Sequence, residues 1–395
     1  MPDCRYCNTS CDDDRALAEH LASVHEWDEL SEIDRQRVEK LHPEMKPDTG
    51  ISDRLGIRLQ RTPLAHAVTR RRLLYGTALT VGVGGGWTTW NVVGDTVRSV
   101  LDLEDTWNEL ESLPIPAGYP AVEAYRESIY VFGGLGAFDV TQIYDTESDE
   151  WRTGPDLPEL RSRATATSFN EYIYLIGGLS RDFEPTDTVF RYDPAEDTWE
   201  DGFATKPTPI RDNSISATDG RRIYVPAGTT GDTDETDVFE AYDPKTDRWE
   251  TEYADVPIPI RQHTTEYTDG RLYITGGESG GEDAAHHYEY DIDADTWSEK
   301  TPRPIAVHAH SAGIIDGSLF VTGGHTHDGE WDDGAPHHHR YDIDTDTWER
   351  MADFPEPRDT HTAAVIGNRY VTIGGRTYLE GDPMDTVERY NAANG

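Results

Sequence analysis

The sequence is short of cysteine, of lysine and of long uncharged runs, and each shortage excludes something. Its three cysteines, Cys4, Cys7 and Cys11, all fall within the first eleven residues, so no disulfide staples the remainder. Lysine occurs only at positions 40, 46, 206, 245 and 300, and 35 Lys+Arg face 76 Asp+Glu for a formal charge of −41. A surface this acidic repels nucleic acid and anionic lipid headgroups over most of its area. It also repels itself in dilute buffer, which points to a high-salt cytosol or brine where counterions screen the charge. Low hydrophobicity with high charge can mean disorder. Here 20 Tyr and 10 Trp, many at periodic positions, argue instead for packed cores. Only one stretch long enough to span a bilayer, Leu73 to Gly94, lacks charge.

What the chain does have is repetition. Gly133-Gly134, Gly177-Gly178, Ala227-Gly228, Gly276-Gly277, Gly323-Gly324 and Gly374-Gly375 recur at intervals of 44, 50, 49, 47 and 51 residues. A Tyr-Asp pair stands seven positions ahead of a Trp at Tyr144/Trp151, Tyr192/Trp199, Tyr242/Trp249, Tyr290/Trp297 and Tyr341/Trp348. A period near 50 with these markers is the signature of a repeat architecture. The pattern resembles the kelch repeat over about 290 residues, 100–395. That resemblance implies a mainly β fold, a six-bladed propeller of four-stranded blades. The last unit stops at Tyr390-Asn391 without its Trp, while Trp107 precedes the first doublet without its Tyr. Joining them completes a sixth blade closed by the N-terminal strand and removes the open edge.

Ahead of the propeller, Cys4-x2-Cys7-x12-His20-x4-His25 resembles a Cys2His2 zinc finger, with residues 1–28 as a small ββα unit. Two thiolates on a hairpin and two imidazoles one helical turn apart converge on one structural zinc ion. Base-reading positions fall on Asp13, Ala16 and Glu19, which oppose DNA. A structural or protein-binding role follows. Residues 29–68 read as a short helix around Ile33, Val38 and Leu41, then a linker. Residues 69–94 open with Arg70-Arg71, which resembles a twin-arginine export signal. The hydrophobic helix after it, residues 73–94, is expected as a membrane anchor with the propeller outside the cell, or as a helix bracing a cytoplasmic propeller.

Candidate ligand-binding residues come from position. Arg161, Arg211 and Arg358 stand sixteen residues before their doublets, Arg261 fifteen, and His263, His310 and His361 thirteen. In kelch propellers this segment leads into the innermost strand, around the shaft mouth. A cationic ring there would focus potential on an anionic small molecule, a glycan or an acidic peptide; alternatively each Arg ties neighbouring blades through carboxylates. A His-rich set (His286, His287, His325, His327, His337, His338, His339) is a candidate for transition-metal binding. The acidic turns Asp291-x-Asp293-x-Asp295 and Asp342-x-Asp344-x-Asp346 lack the glycine and terminal Glu of an EF-hand and read as solvated turn acids. Kelch copper oxidases need a Cys–Tyr crosslink, which this propeller cannot make. The leading expectation is a non-enzymatic binding or interaction protein. The alternatives are a sugar-acting enzyme similar to kelch sialate mutarotases and a soluble cytosolic adaptor.

Overall fold

Each repeat folds as an antiparallel sheet because its short apolar runs are separated by turn residues that only a hairpin accommodates. In the fourth blade Thr264–Thr268, Arg271–Thr275, His287–Asp291 and Thr296–Glu299 lie side by side in that order. Asp269 and Gly270, both at positive φ, make the two-residue turn whose twist matches the strands it joins. Leu272, Tyr273, Ile274 and Thr275 are all buried, without the alternation of a half-exposed strand. The reason is that both faces of the blade are covered by its neighbours. The outermost strand, Thr296–Glu299, is wetter, and only Trp297 leans inward.

The computed structural model describes residues 105–212, 215–231, 234–327, 334–377 and 381–392. The expected zinc ligands Cys4, Cys7, His20 and His25, the linker at 29–68, Arg70-Arg71 and the hydrophobic run at 73–94 lie outside these residues. Among the described residues no helix is long and apolar enough to cross a membrane.

Six four-stranded sheets make the propeller, and their innermost strands touch in sequence until Thr362–Ile366 meets Ala121–Tyr125. The sixth sheet is built from both ends of the domain. Thr106–Glu109 pairs with Val387–Asn391, setting Trp107 against Tyr390. The same Tyr–Trp partnership holds in the other five blades, for example Tyr144 with Trp151 and Tyr290 with Trp297. The closure expected from the unpaired Trp107 is present.

The Gly doublets sit where one blade's second strand meets the backbone of the next. A side chain on Gly276 would come within 2.5 Å of His310 Cε1 and 2.9 Å of the Val307 carbonyl. Ala227 takes the same left-handed conformation at φ 57° and packs in a buried cluster with Val256, Ile260 and Ile274. The blade forms despite it, at an alanine cost of about 1–2 kcal/mol.

Candidate functional site at the mouth of the shaft

The rows picked out by spacing lie on the segments leading into the innermost strands, and most of their polar groups point into the protein. Arg358 is fully buried. Its guanidinium donates to Gly374 O at 2.6 Å, Glu356 O at 2.8 Å, Glu388 Oε2 at 2.6 Å and Thr372 Oγ1 at 3.3 Å. Arg161, also buried, donates to Glu159 Oε2 and Thr188 Oγ1, both at 2.7 Å. Arg261 pairs with Glu278 and has Glu235 3.7 Å away. Arg211 is partly exposed and donates to Gly231 O at 3.0 Å. Arg161, Arg261 and Arg358 thus each pair with a carboxylate of their own segment or of the blade it leads into.

His263, His310 and His361 are buried as well. Burial pushes His263 down to about 4 and holds His310 and His361 well below the usual imidazole range. They are neutral spacers between blades; the His310 ring, for one, stands over Gly276. Seven residues were predicted to form a cationic ring, and the structure keeps most of them for packing.

The mouth itself is built by the row just before the histidines. Tyr119, Arg163, Gln262, Ala309 and Thr360 all hold φ between 52° and 57°. Left-handed backbone is uncommon for residues other than glycine and is a hint of function. Their main chains form a collar: Arg163 N donates to Tyr119 O (3.0 Å), Tyr119 N to Thr360 O (3.0 Å), Thr360 N to Ala309 O (2.8 Å) and Ala309 N to Gln262 O (3.0 Å). Gln262 N donates instead to Asp212 Oδ2 at 3.3 Å.

On this collar the Arg163 guanidinium lies 3.6 Å from the Tyr119 ring centroid. It makes no hydrogen bond and no ion pair within 4 Å among the described residues. Arg376 approaches the same ring from 5.0 Å, donates to the Tyr119 hydroxyl at 3.0 Å and pairs with Asp359 at 3.3 Å. Buried Asp212 is pushed up by desolvation, against the pull of Thr229, Arg163 and Arg211. The result is two guanidinium groups around one aromatic ring, of which Arg163 feels Asp212 electrostatically but has no carboxylate within 4 Å among the described residues. Spacing could have found this row, fourteen residues before each doublet, but its side chains share no chemistry. Its unity is in the backbone.

Two other features lie outside the collar. Glu123 and Glu266 stand in the innermost strands of the first and fourth blades. Burial pushes Glu123 up to about 7, and burial together with Glu123 pushes Glu266 up to about 8. The His-rich set does not come together. His287 packs on Tyr341 and Trp348, and His338 on Trp107 and Tyr390. His337 and His339 line a cavity of about 280 Å³ with Pro304, Ile305 and Arg350. His325 and His327 stand elsewhere, beside His308.

Comparison with known proteins agrees with the geometry. The Kelch motif family is matched at residues 116–158, 160–202 and 216–252, and the KLHDC2/KLHL20/DRC7 Kelch-repeats domain at 250–394. The chain is 30% identical over 121 residues to Kelch-like protein 35 of Mus musculus, a match covering 30% of this chain and 20% of that protein. It is 30% identical over 127 residues to Beta-scruin of Limulus polyphemus, covering 30% and 14%. It is 31% identical over 150 residues to Kelch-like protein terF of Aspergillus terreus, covering 34% and 31%. The matches thus span less than a third of each curated relative. Among solved structures, YjhT superposes with a TM-score of 0.63 at 17% identity over 70% of this chain and 95% of its own. At that identity the likeness speaks for the fold alone.

Proposed function

Because the chain carries a kelch-repeat six-bladed β-propeller, we propose that it is a binding protein whose shaft mouth takes an acidic segment of a protein partner. One observation carries this reading: Arg163 stacks on Tyr119 with no carboxylate of its own, on a protein with a formal charge of −41. In such a surround a half-buried guanidinium with no hydrogen-bonded carboxylate favours an anionic partner. Arginine presents a planar fork suited to carboxylates, and Arg376, itself paired with Asp359, adds positive charge beside it.

The test is a titration of the full chain with a fluorescein-labelled Asp/Glu-rich peptide and a neutral peptide of the same length, followed by anisotropy. The wild type should prefer the acidic peptide. Arg163→Ala should weaken it about 10- to 100-fold, the worth of a charged hydrogen bond. Equal affinity for both peptides, or for both proteins, would refute the proposal. We also place the mouth outside the cell, on the strength of Arg70-Arg71 and the uncharged run after it. Protease added to intact cells should then digest the propeller, and a spared propeller would make the chain a cytosolic adaptor.

A further inference from the structure

The rim of the propeller holds a second cluster, which the mouth does not use. The turn after the fourth doublet supplies Glu278, and the short hairpin it starts, paired as Glu278 with Asp283, supplies Asp283. His308 comes from the segment leading into the fifth blade, and His327 from the turn after that blade's doublet. His308 Nδ1 and His327 Nδ1 both lie on a single oxygen, Asp283 Oδ1, at 2.6 and 2.9 Å. An ionised carboxylate can only accept, so each Nδ1 donates to Asp283, and in a neutral ring that tautomer leaves the Nε2 lone pair for a ligand role. The rings are 28° from parallel with centroids 4.5 Å apart. Glu278 stands beside them, its Oε2 3.8 Å from His327 Nε2, while Arg261 engages Oε1. One ligand atom from each of Glu278, His308 and His327 falls within 4.8 Å of the other two.

We propose that Glu278, His308 and His327 hold one divalent transition-metal ion, with Asp283 as the positioning residue for both imidazoles. Two imidazoles and a carboxylate suit zinc and its neighbours, and three protein ligands leave a coordination position open for water or a ligand atom. A carboxylate behind a metal-bound histidine fixes its tautomer and raises its basicity. Here one Asp does this for two rings at once. Bonds of about 2.0–2.1 Å to a tetrahedral ion need ligand atoms about 3.3 Å apart. His327 must therefore close in slightly, and it is 45% exposed and free to do so. The bland alternative is an ion-pair network in which Asp283 merely bridges two protonated histidines.

Zinc bound to the full chain separates the two. Cys4, Cys7, His20 and His25 are expected to hold their own ion, so the rim site is counted by difference. After equilibration with zinc and removal of free ion, the wild type should retain one more zinc per chain than His327→Ala. Near-ultraviolet circular dichroism should show both proteins folded, since His327 is at the surface. In competition with a chromophoric chelator, Asp283→Asn should weaken the rim ion about 10- to 100-fold. Equal zinc content in wild type and His327→Ala would overturn the site. Undiminished affinity in Asp283→Asn would overturn the role given to Asp283.

Discussion

A histidine thirteen residues before a Gly doublet becomes a buried, neutral wedge, and that makes the propeller sensitive to acid. Burial holds His263 at about 4 and His287 at about 3, and keeps His310, His338 and His361 well below the usual range. The unfolded chain protonates these groups near 6.5, whereas the folded chain resists until far lower pH. Their stabilisation is therefore complete above about pH 6.5 and is lost as pH falls toward about 4. Each contributes a slope of about 1.4 kcal/mol per pH unit in that window. Glu123 and Glu266 have the opposite sign, because their raised values favour the folded state as pH falls from about 8. Asp212 and Glu388, also raised by burial, share that sign, and the five buried histidines outnumber these four carboxyls. The urea midpoint should fall steeply between pH 7 and pH 5; a flat or rising midpoint would contradict this account of the row.

The sequence was informative about these residues only up to a point. Spacing located the Arg and His rows on the correct segments, because the period reports position within a blade. It did not report direction, which depends on what surrounds each segment: Gly276 of the preceding blade for His310, Glu388 of the sixth blade itself for Arg358. Arg163 was passed over because Tyr119, Arg163, Gln262, Ala309 and Thr360 have nothing in common but their φ.

Among the strands, the Tyr-Asp and Trp markers act as struts between blades. Tyr290 Oη donates to Asp295 Oδ1 at 2.5 Å, and the same oxygen accepts Ala254 N from the preceding blade at 2.8 Å. Trp297 Nε1 donates to Ala254 O at 2.9 Å. Asp295 is the solvated turn acid the sequence implies, and it also serves as a tie. The motif repeats at the seam, where Tyr390 Oη donates to Asp105 Oδ1 at 2.5 Å and Trp107 Nε1 to Ala352 O at 3.1 Å. Closure was readable because a Trp lacked its Tyr at one end and a Tyr its Trp at the other. Trp107 also packs on Phe354, Tyr390 and His338. Trp107→Ala should therefore cost about 3–5 kcal/mol in urea unfolding, in the range of large aromatic truncations, and promote association through the freed edge. A loss below about 1 kcal/mol would mean that the strand Thr106–Glu109 does not hold the ring.

Over the whole molecule, negative charge dominates and the exceptions are local. Arg161, Arg261 and Arg358 are spent on carboxylates close to them, and what remains at the mouth is the pair around Tyr119. The period sufficed for the architecture, because a repeat that cannot bury its faces alone must stack. It could not reveal the mouth, where segments far apart in the chain meet: Tyr119, Arg163, Asp359 and Arg376. Amide hydrogen exchange of the full chain with and without the acidic peptide tests the central claim most directly. Protection should gather at residues 118–121, 162–164, 359–362 and 376–377, and leave the outer strands Thr296–Glu299 and Thr347–Arg350 unchanged. Protection on the outer strands with an unaltered mouth would contradict it.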